Sequence, residues 1–341
     1  MTHEHELTEP VDLCTANGAR LNRAALGWSR RPLHRANLAG CFGINKRWDY
    51  WAILAGDLVA SCVYADVDHL GLSDVWWADL GTHRSGGNGI VTVGNDDFNL
   101  PERPGTAPLR IDRDGFALDV VDDDGGTRIR GSWTEHDGTP GRLDVRVALP
   151  AGHESLNVVI PWSDELFNYT SKHQARPATG SLVVGDQHWA IGGSAGDAWG
   201  VLDVGRGRWP AEITWNWGGG AGRCGDHIVG LQFGGKWTEG TGYTENGVIV
   251  DGRLTKLGNE FNWLYNWDEP MKPWRVVEPG GQLDVTLAPR YDKHTWLPGR
   301  DKGSETHQVF GTWSGRLRTA DGLELQLDAI QGFAEEARQE W

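Results

Sequence analysis

The chain is a long succession of short runs in which apolar and polar residues alternate, each run closed by Gly, Asp or Asn. Residues 48–54 and 58–64 are separated only by Ala55-Gly56-Asp57, a gap that a hairpin fits. Residues 75–80, 90–93, 116–121 and 129–133 keep the same rhythm. Residues 143–149 alternate most cleanly, with Val145 and Val147 directed inward and Asp144 and Arg146 outward. The character changes around residues 156–173, where Val158-Val159-Ile160-Pro161-Trp162 precedes Phe167-Asn168-Tyr169. A second series follows at 181–184, 189–191, 199–203, 213–217 and 227–233, with later strands over 247–250, 259–264, 282–287, 308–316 and 323–327. Helical signals are few, chiefly residues 333–341.

This pattern predicts an all-β protein of two successive antiparallel meanders, closed into barrels or packed as sandwiches, with few short helices. The expected organisation is a lead-in over residues 1–27 that wraps the first domain, a first β domain over 28–165, and a second over 166–341 with a short C-terminal helix. Length agrees, because 341 residues exceed one ordinary core and suit two domains of similar size. Barrels of that size hold one small ligand.

Charge narrows the partners. A net charge of −15 repels nucleic acid and anionic membrane surfaces. No apolar run reaches the roughly 18 residues that a bilayer-spanning helix needs, so no integral membrane segment is expected. The start, Met1-Thr2-His3-Glu4-His5-Glu6, is polar and acidic where a secretion signal is basic and then apolar, which points to the cytoplasm. Cys14, Cys41, Cys62 and Cys224 show no close-paired spacing, so neither a zinc knuckle nor a dithiol motif is expected. Asp122-Asp123-Asp124-Gly125-Gly126 and Gly94-Asn95-Asp96-Asp97 lack the spaced ligands of an EF-hand and read as hairpin turns. With no phosphate loop, serine elbow or His-Glu metal motif in view, neither a cofactor nor a metal is called for. The oligomeric state is left open.

Candidate chemistry concentrates in residues 202–246. Asp203, Arg206 and Arg208 stand ahead of Trp209-Pro210 and read either as a salt-bridged turn or as an oriented acid or anion site. Trp215-Asn216-Trp217 sets both indoles on one strand face, which serves a core or the wall of a pocket for a flat ring, a polyene or a cation. Tyr243-Thr244-Glu245-Asn246 places Tyr243 and Glu245 on a common face. A carboxyl held in an apolar barrel beside a phenol has reason to stay protonated, so Glu245 is the candidate acid and Tyr243 its hydrogen-bond partner, with Asp203 in the same catalytic group. Trp209, Arg206, Arg208 and Asn246 join the two indoles as candidate substrate contacts. Tyr169, Lys172, His173 and His307-Gln308, and Lys256 near Glu260, form a further set, each also compatible with a satisfied structural role.

These motifs resemble a family catalogued as domain of unknown function 2804. The resemblance is carried by residues 167–173, Leu202-Asp203 through Pro210, Trp215 to Trp217, 230–235, 244–246, Lys272-Pro273-Trp274, 307–311 and 332–335. More distantly, the arrangement is similar to tandem lipocalin-like proteins that include carotenoid 1,2-hydratases, which add water across an isoprenoid double bond without a cofactor. In that group a His-x-Trp strand precedes a Tyr-x-Asp strand; here Trp217, Tyr243 and Glu245 match position by position, and Trp215 stands in place of the histidine. An indole cannot shuttle a proton as imidazole does, so proton transfer falls to Glu245. The resemblance implies paired lipocalin-like barrels and a cofactor-free acid–base enzyme of hydratase, cyclase or isomerase type acting on an apolar or isoprenoid-like small molecule. Two alternatives stand beside it. One is a carrier of lipid or hydrophobic metabolite, and the other a carbohydrate-active sandwich in which Glu245 pairs with Asp203 or Glu260.

Overall fold

A computed structural model describes residues 2–299 and 301–340 of the chain. The alternating runs pair into two large antiparallel sheets, giving an all-β fold of one nearly closed barrel and one half-barrel. The first sheet runs from edge to edge through Arg84–Val93, Leu70–Asp79, Leu58–Asp66, Asn45–Ala55, Trp199–Arg208, Phe167–Val184, Pro140–Ala148, Gly126–Thr134, Phe116–Asp123 and Leu109–Arg113. Glu135 draws its ends together, accepting from Trp77 Nε1 and from the Gly87 amide, both at 2.8 Å. Trp51, Ile53, Leu143 and Val145 fill the interior. The second sheet runs Arg253–Leu257, Asn246–Val250, His227–Gly235, Glu212–Cys224, Glu324–Glu340, Ser304–Arg318, Leu283–Leu297, Trp274–Val277 and Asn262–Leu264, around Phe233, Trp274 and Trp313. A third apolar cluster joins the two, with Ala52, Leu54 and Val201 of the first sheet against Trp217, Phe310 and Phe333 of the second. No described helix is long and apolar enough to cross a membrane.

Two expectations change. The strands Phe167–Val184, Gln187–Ile191 and Trp199–Arg208 pair into the first sheet, so that sheet takes in residues well past 165 and the second opens at Glu212. The C-terminal helix is instead the strand Glu324–Glu340, with Trp341 outside the described residues. Its helix-forming residues are overruled because Glu212–Cys224 and Ser304–Arg318 flank it and satisfy its backbone on both sides. The N-terminal lead-in packs on the first sheet, with Leu13 and Cys14 against Val159, Phe167 and Tyr169. It also reaches the second, where Glu4 Oε1 lies 2.6 Å from the buried Lys256 Nζ.

Irregularities in three strands decide what faces the space between the sheets, because one extra residue reverses the alternation beyond it. In Phe167–Val184 the register slips between His173 and Arg176: Ala178, Leu182 and Val184 point into the first barrel, whereas Asn168, Thr170 and Lys172 point between the sheets. In Leu283–Leu297 it slips between Pro289 and Tyr291, so Leu283, Val285 and Leu287 fill the half-barrel while Lys293 and Thr295 face the other way. In Glu324–Glu340 it slips between Leu327 and Ile330, which sends Phe333 and Glu335 toward the first sheet.

Candidate active site

A cavity of about 300 Å³ lies where these re-aimed side chains meet, between the sheets and outside both barrel interiors. The expected pocket inside a barrel is thus replaced by one at the junction, for both barrel interiors are filled with side chains. The volume is at the lower end for small-molecule sites. Five indoles contribute to its wall: Trp48 from the first sheet, Trp209 just beyond it, and Trp215, Trp217 and Trp237 from the second unit. Trp209 stacks on Trp237 at 5.5 Å between centroids and meets Trp215 edge-on at 5.8 Å.

One ammonium is set among carboxylates in this wall. Lys172 Nζ lies 2.8 Å from Asp203 Oδ1, 3.2 Å from Glu245 Oε2 and 4.5 Å from the centre of the Trp217 ring. Asp203 accepts further bonds from Trp48 Nε1 at 3.1 Å and Thr170 Oγ1 at 3.4 Å. Glu245 Oε1 accepts from Trp237 Nε1 at 2.8 Å. A single cation cannot neutralise both carboxylates, so one of them is driven toward its protonated form. Burial pushes the Glu245 carboxyl up to about 7, opposed by Lys172 and reinforced by Asp203. Lys172 loses by burial but gains more from Asp203 and Glu245, and its pKa stands above the ordinary lysine value.

A second acid faces the same cavity. Glu335 Oε1 accepts from Trp215 Nε1 at 2.7 Å, and burial pushes its carboxyl up to about 7 as well. Lys293 lies 4.6 Å from the centre of the Trp76 ring, its pKa lowered by burial against the pull of Asp74 and Glu335. Tyr50 donates to Gln308 Oε1 at 3.2 Å. The arrangement offers two protonatable carboxyls, two ammonium groups and an aromatic enclosure.

Of the residues singled out from sequence, Glu245, Asp203, Lys172, Trp209, Trp215 and Trp217 line the cavity. Tyr243 does not bond to Glu245, whose partners are Trp237 and Lys172; it lies in the loop before Asn246–Val250 and packs against the apolar cluster that includes Trp209 and Trp237. Arg206 and Arg208 face the opposite side of their strand from Asp203, as even and odd positions must. Arg206 is fully buried against Asp49 at 2.6 Å, and Arg208 donates to Asn45 and to the carbonyls of Gly18, Ala19 and Ala39, pinning the N-terminal segment. Asn246 accepts from the Gly234 amide at 2.7 Å, Tyr169 donates to Asn157, and His173 bonds Ser171, all away from the cavity. His307 faces the opposite side from Gln308, its neighbour and a cavity residue. Glu335, Lys293, Trp48, Tyr50 and Trp237 were missed. Glu335 lay in the run read as a helix, and Lys293 lies beyond a bulge at Pro289, a position where proline inside a strand is the available signal.

The carbohydrate reading loses its geometry here. Lys172 occupies the gap between Asp203 and Glu245, where a glycosidic bond would have to lie, and Glu260 bonds Thr238 outside the cavity.

The fold and site define a tandem lipocalin-like β protein with an aromatic cavity between its two units. The chain belongs to the family described as domain of unknown function DUF2804, which matches residues 4–341. No functionally curated protein matches it by sequence. Among solved structures it is similar to kievitone hydratase from Nectria haematococca, at 14% identity and a TM-score of 0.51, covering 87% of this chain and 89% of that one. It is also similar to CghA, at 12% identity and a TM-score of 0.45, covering 87% and 88%. At such identity the likeness to the hydratase establishes a shared fold.

Proposed function

We propose that the protein is a cofactor-free acid–base enzyme of hydratase, cyclase or isomerase type that acts on an apolar, isoprenoid-like small molecule held between its two β units. The observation that carries this is the Glu245 carboxyl, buried with a pKa of about 7 and bordering an indole-walled cavity. An acid poised near neutral pH is matched to donating a proton there. That a protein named as a hydratase is built on the same fold supports the reading.

In the first step Glu245 gives its proton to one carbon of a double bond. The π pair becomes the new C–H bond, and the neighbouring carbon becomes a cation facing the indole rings, whose π-faces stabilise positive charge. Water then adds through oxygen and loses a proton to the Glu335 carboxylate, giving an alcohol; the site is reset as Glu335 releases that proton to solvent and Glu245 takes one up. Attack by an internal double bond closes a ring and moves the positive charge to the other alkene carbon, which loses a proton to the Glu335 carboxylate; loss of a different proton from the first cation gives an isomer. The ammonium of Lys172 pairs with Asp203 beside the reacting centre and limits how far Glu245 rises.

A carrier function is the second reading, favoured by the two ammonium groups, Lys172 and Lys293, in the cavity wall, which suit an acidic headgroup. One experiment separates the two. Solvent extraction of the purified protein and mass spectrometry identify the bound compound, which is then returned to the protein in deuterated water. Deuterium entering carbon with the wild type and not with Glu245→Gln supports the enzyme. A ligand recovered unlabelled and unchanged from both overturns it in favour of the carrier.

A further inference from the structure

The hairpin that walls the cavity carries a second cluster on its other face. Leu283–Leu297 and Ser304–Arg318 pair with His294 opposite His307 and Thr295 opposite Thr306. Thr295 and Thr306 line the cavity, so His294 and His307 project from the reverse side. Glu305, two residues before His307, and Asp292, two before His294, share that side. One potential ligand atom from each of His294, Glu305 and His307 falls within 4.8 Å of the others.

The details resemble a metal site more than a surface ion pair. The two imidazoles stack 4.3 Å apart at 7°, which sets their ring edges side by side. His307 Nδ1 lies 2.7 Å from Asp292 Oδ2, which leaves Nε2 as the ring nitrogen turned away from that carboxylate. A carboxylate behind an imidazole is how protein sites fix the tautomer of a ligand and raise its basicity. Trp267 braces the same ring edge-on at 4.6 Å. His294 Nε2 lies 2.8 Å from Glu305 Oε1, so these two groups already meet at hydrogen-bond distance. Arg338, opposite Glu305 on the next strand, is held by Glu336 at 2.7 Å and lies over Trp267, so its charge is answered elsewhere.

We infer that His294, Glu305 and His307 bind one divalent transition-metal ion, with Asp292 positioning His307. Two imidazoles and one carboxylate suit zinc or cobalt, and three protein ligands leave a coordination position for water. The ion cross-links the two strands that carry Lys293, Thr295, Thr306 and Gln308 into the cavity, so it stiffens that wall from behind. The site was invisible as a motif because its ligands come from two strands that pair only in the folded chain.

The test is titration of the chelator-treated full-length protein with cobalt(II), followed by visible absorption, with zinc as competitor. One equivalent is expected to bind with a d–d spectrum of low coordination number and to be displaced by zinc. His294→Ala and Glu305→Gln, both at partly exposed positions, are expected to weaken binding by at least about tenfold with an unchanged far-ultraviolet circular dichroism spectrum. Asp292→Asn is expected to weaken it by roughly 10–100-fold, as loss of an outer-shell partner does. The double variant His3→Ala/His5→Ala, which removes the other histidine pair within reach of solvent, is expected to bind as the wild type does. Absence of saturable binding overturns the inference, and so does binding that survives His294→Ala and Glu305→Gln or disappears with the N-terminal pair.

Discussion

Lys172 and Asp203 stand directly opposite each other on adjacent antiparallel strands, with Nζ and Oδ1 2.8 Å apart. The pair is buried, and Glu245 comes from the other β unit to lie against the same ammonium. The cation is therefore shared between a carboxylate of its own sheet and one delivered across the junction. This contact couples the two β units across their junction.

Replacing Lys172 by Met removes the only ammonium in direct contact with either carboxylate among the described residues. Leaving buried charges without their partner typically costs about 3–5 kcal/mol, so Lys172→Met is expected to lower stability by several kcal/mol in urea denaturation at pH 8. Glu245 then rises further, because Lys172 is what opposes its burial. Once a substrate is known, the wild-type rate is expected to fall as pH increases through about 7, where Glu245 loses the proton on which the proposed reaction draws. In the variant that limb moves to higher pH. A limb in the same place would show that Lys172 does not govern the proton.

Glu335 links the cavity to stability with a definite sign. Its folded-state pKa of about 7 stands above the ordinary 4.5, so the folded protein holds this proton more tightly than the unfolded chain does. The associated stability is complete below 4.5 and is lost as pH rises through about 7. Glu335→Gln keeps an oxygen to accept from Trp215 and has no proton to lose. It is expected to match the wild type near pH 4.5 and to exceed it above pH 7, by at most about 3 kcal/mol at 1.36 kcal/mol per pH unit. Parallel denaturation curves at the two pH values check this, and equal stability at pH 8 would count against a buried, perturbed Glu335.

Alternation revealed the strand ladder, and with it the common face of Trp215 and Trp217, because period-two side chains are a local property. The same rule, applied to residues 203–208, already separates Asp203 from Arg206 and Arg208; grouping them mistook nearness in the chain for nearness in space. Lys172, Lys293 and Glu335 were harder. Each reaches the cavity only because a bulge reverses its strand, and a bulge is set by pairing with a distant partner. The helix expected at the C-terminus failed for a related reason, since Phe333, Glu335 and Ala337 gain more from two flanking strands than their propensities lose.

Arg208 separates architecture from chemistry. Its guanidinium serves Asn45 and the backbone carbonyls of Gly18, Ala19 and Ala39, and none of these lines the cavity. Arg208→Met leaves those acceptors buried without a donor, at about 1–3 kcal/mol each where water cannot reach. The expected result is a loss of several kcal/mol and earlier proteolysis of the N-terminal segment. Affinity of the folded protein for its cavity ligand stays within about twofold. A selective loss of affinity would return Arg208 to the binding machinery.

Gly234 provides the sharpest test of where Glu245 must sit. A methyl group there would collide with Cγ and Oε1 of Glu245, so the bare backbone is what lets the carboxyl lie beside Lys172 and Trp237. Gly234→Ala is expected to force Glu245 out of place, and a displacement near 1 Å costs about 100-fold in rate. Overpacking also lowers stability by roughly 1–3 kcal/mol, which alone could confuse the outcome. Gly235→Ala provides the comparison, because its added methyl meets Trp263 on the opposite strand face, away from the cavity. Both variants should lose comparable stability by thermal denaturation. Only Gly234→Ala should lose turnover measured per folded molecule; equal turnover in the two would mean that the position of Glu245 does not limit the reaction.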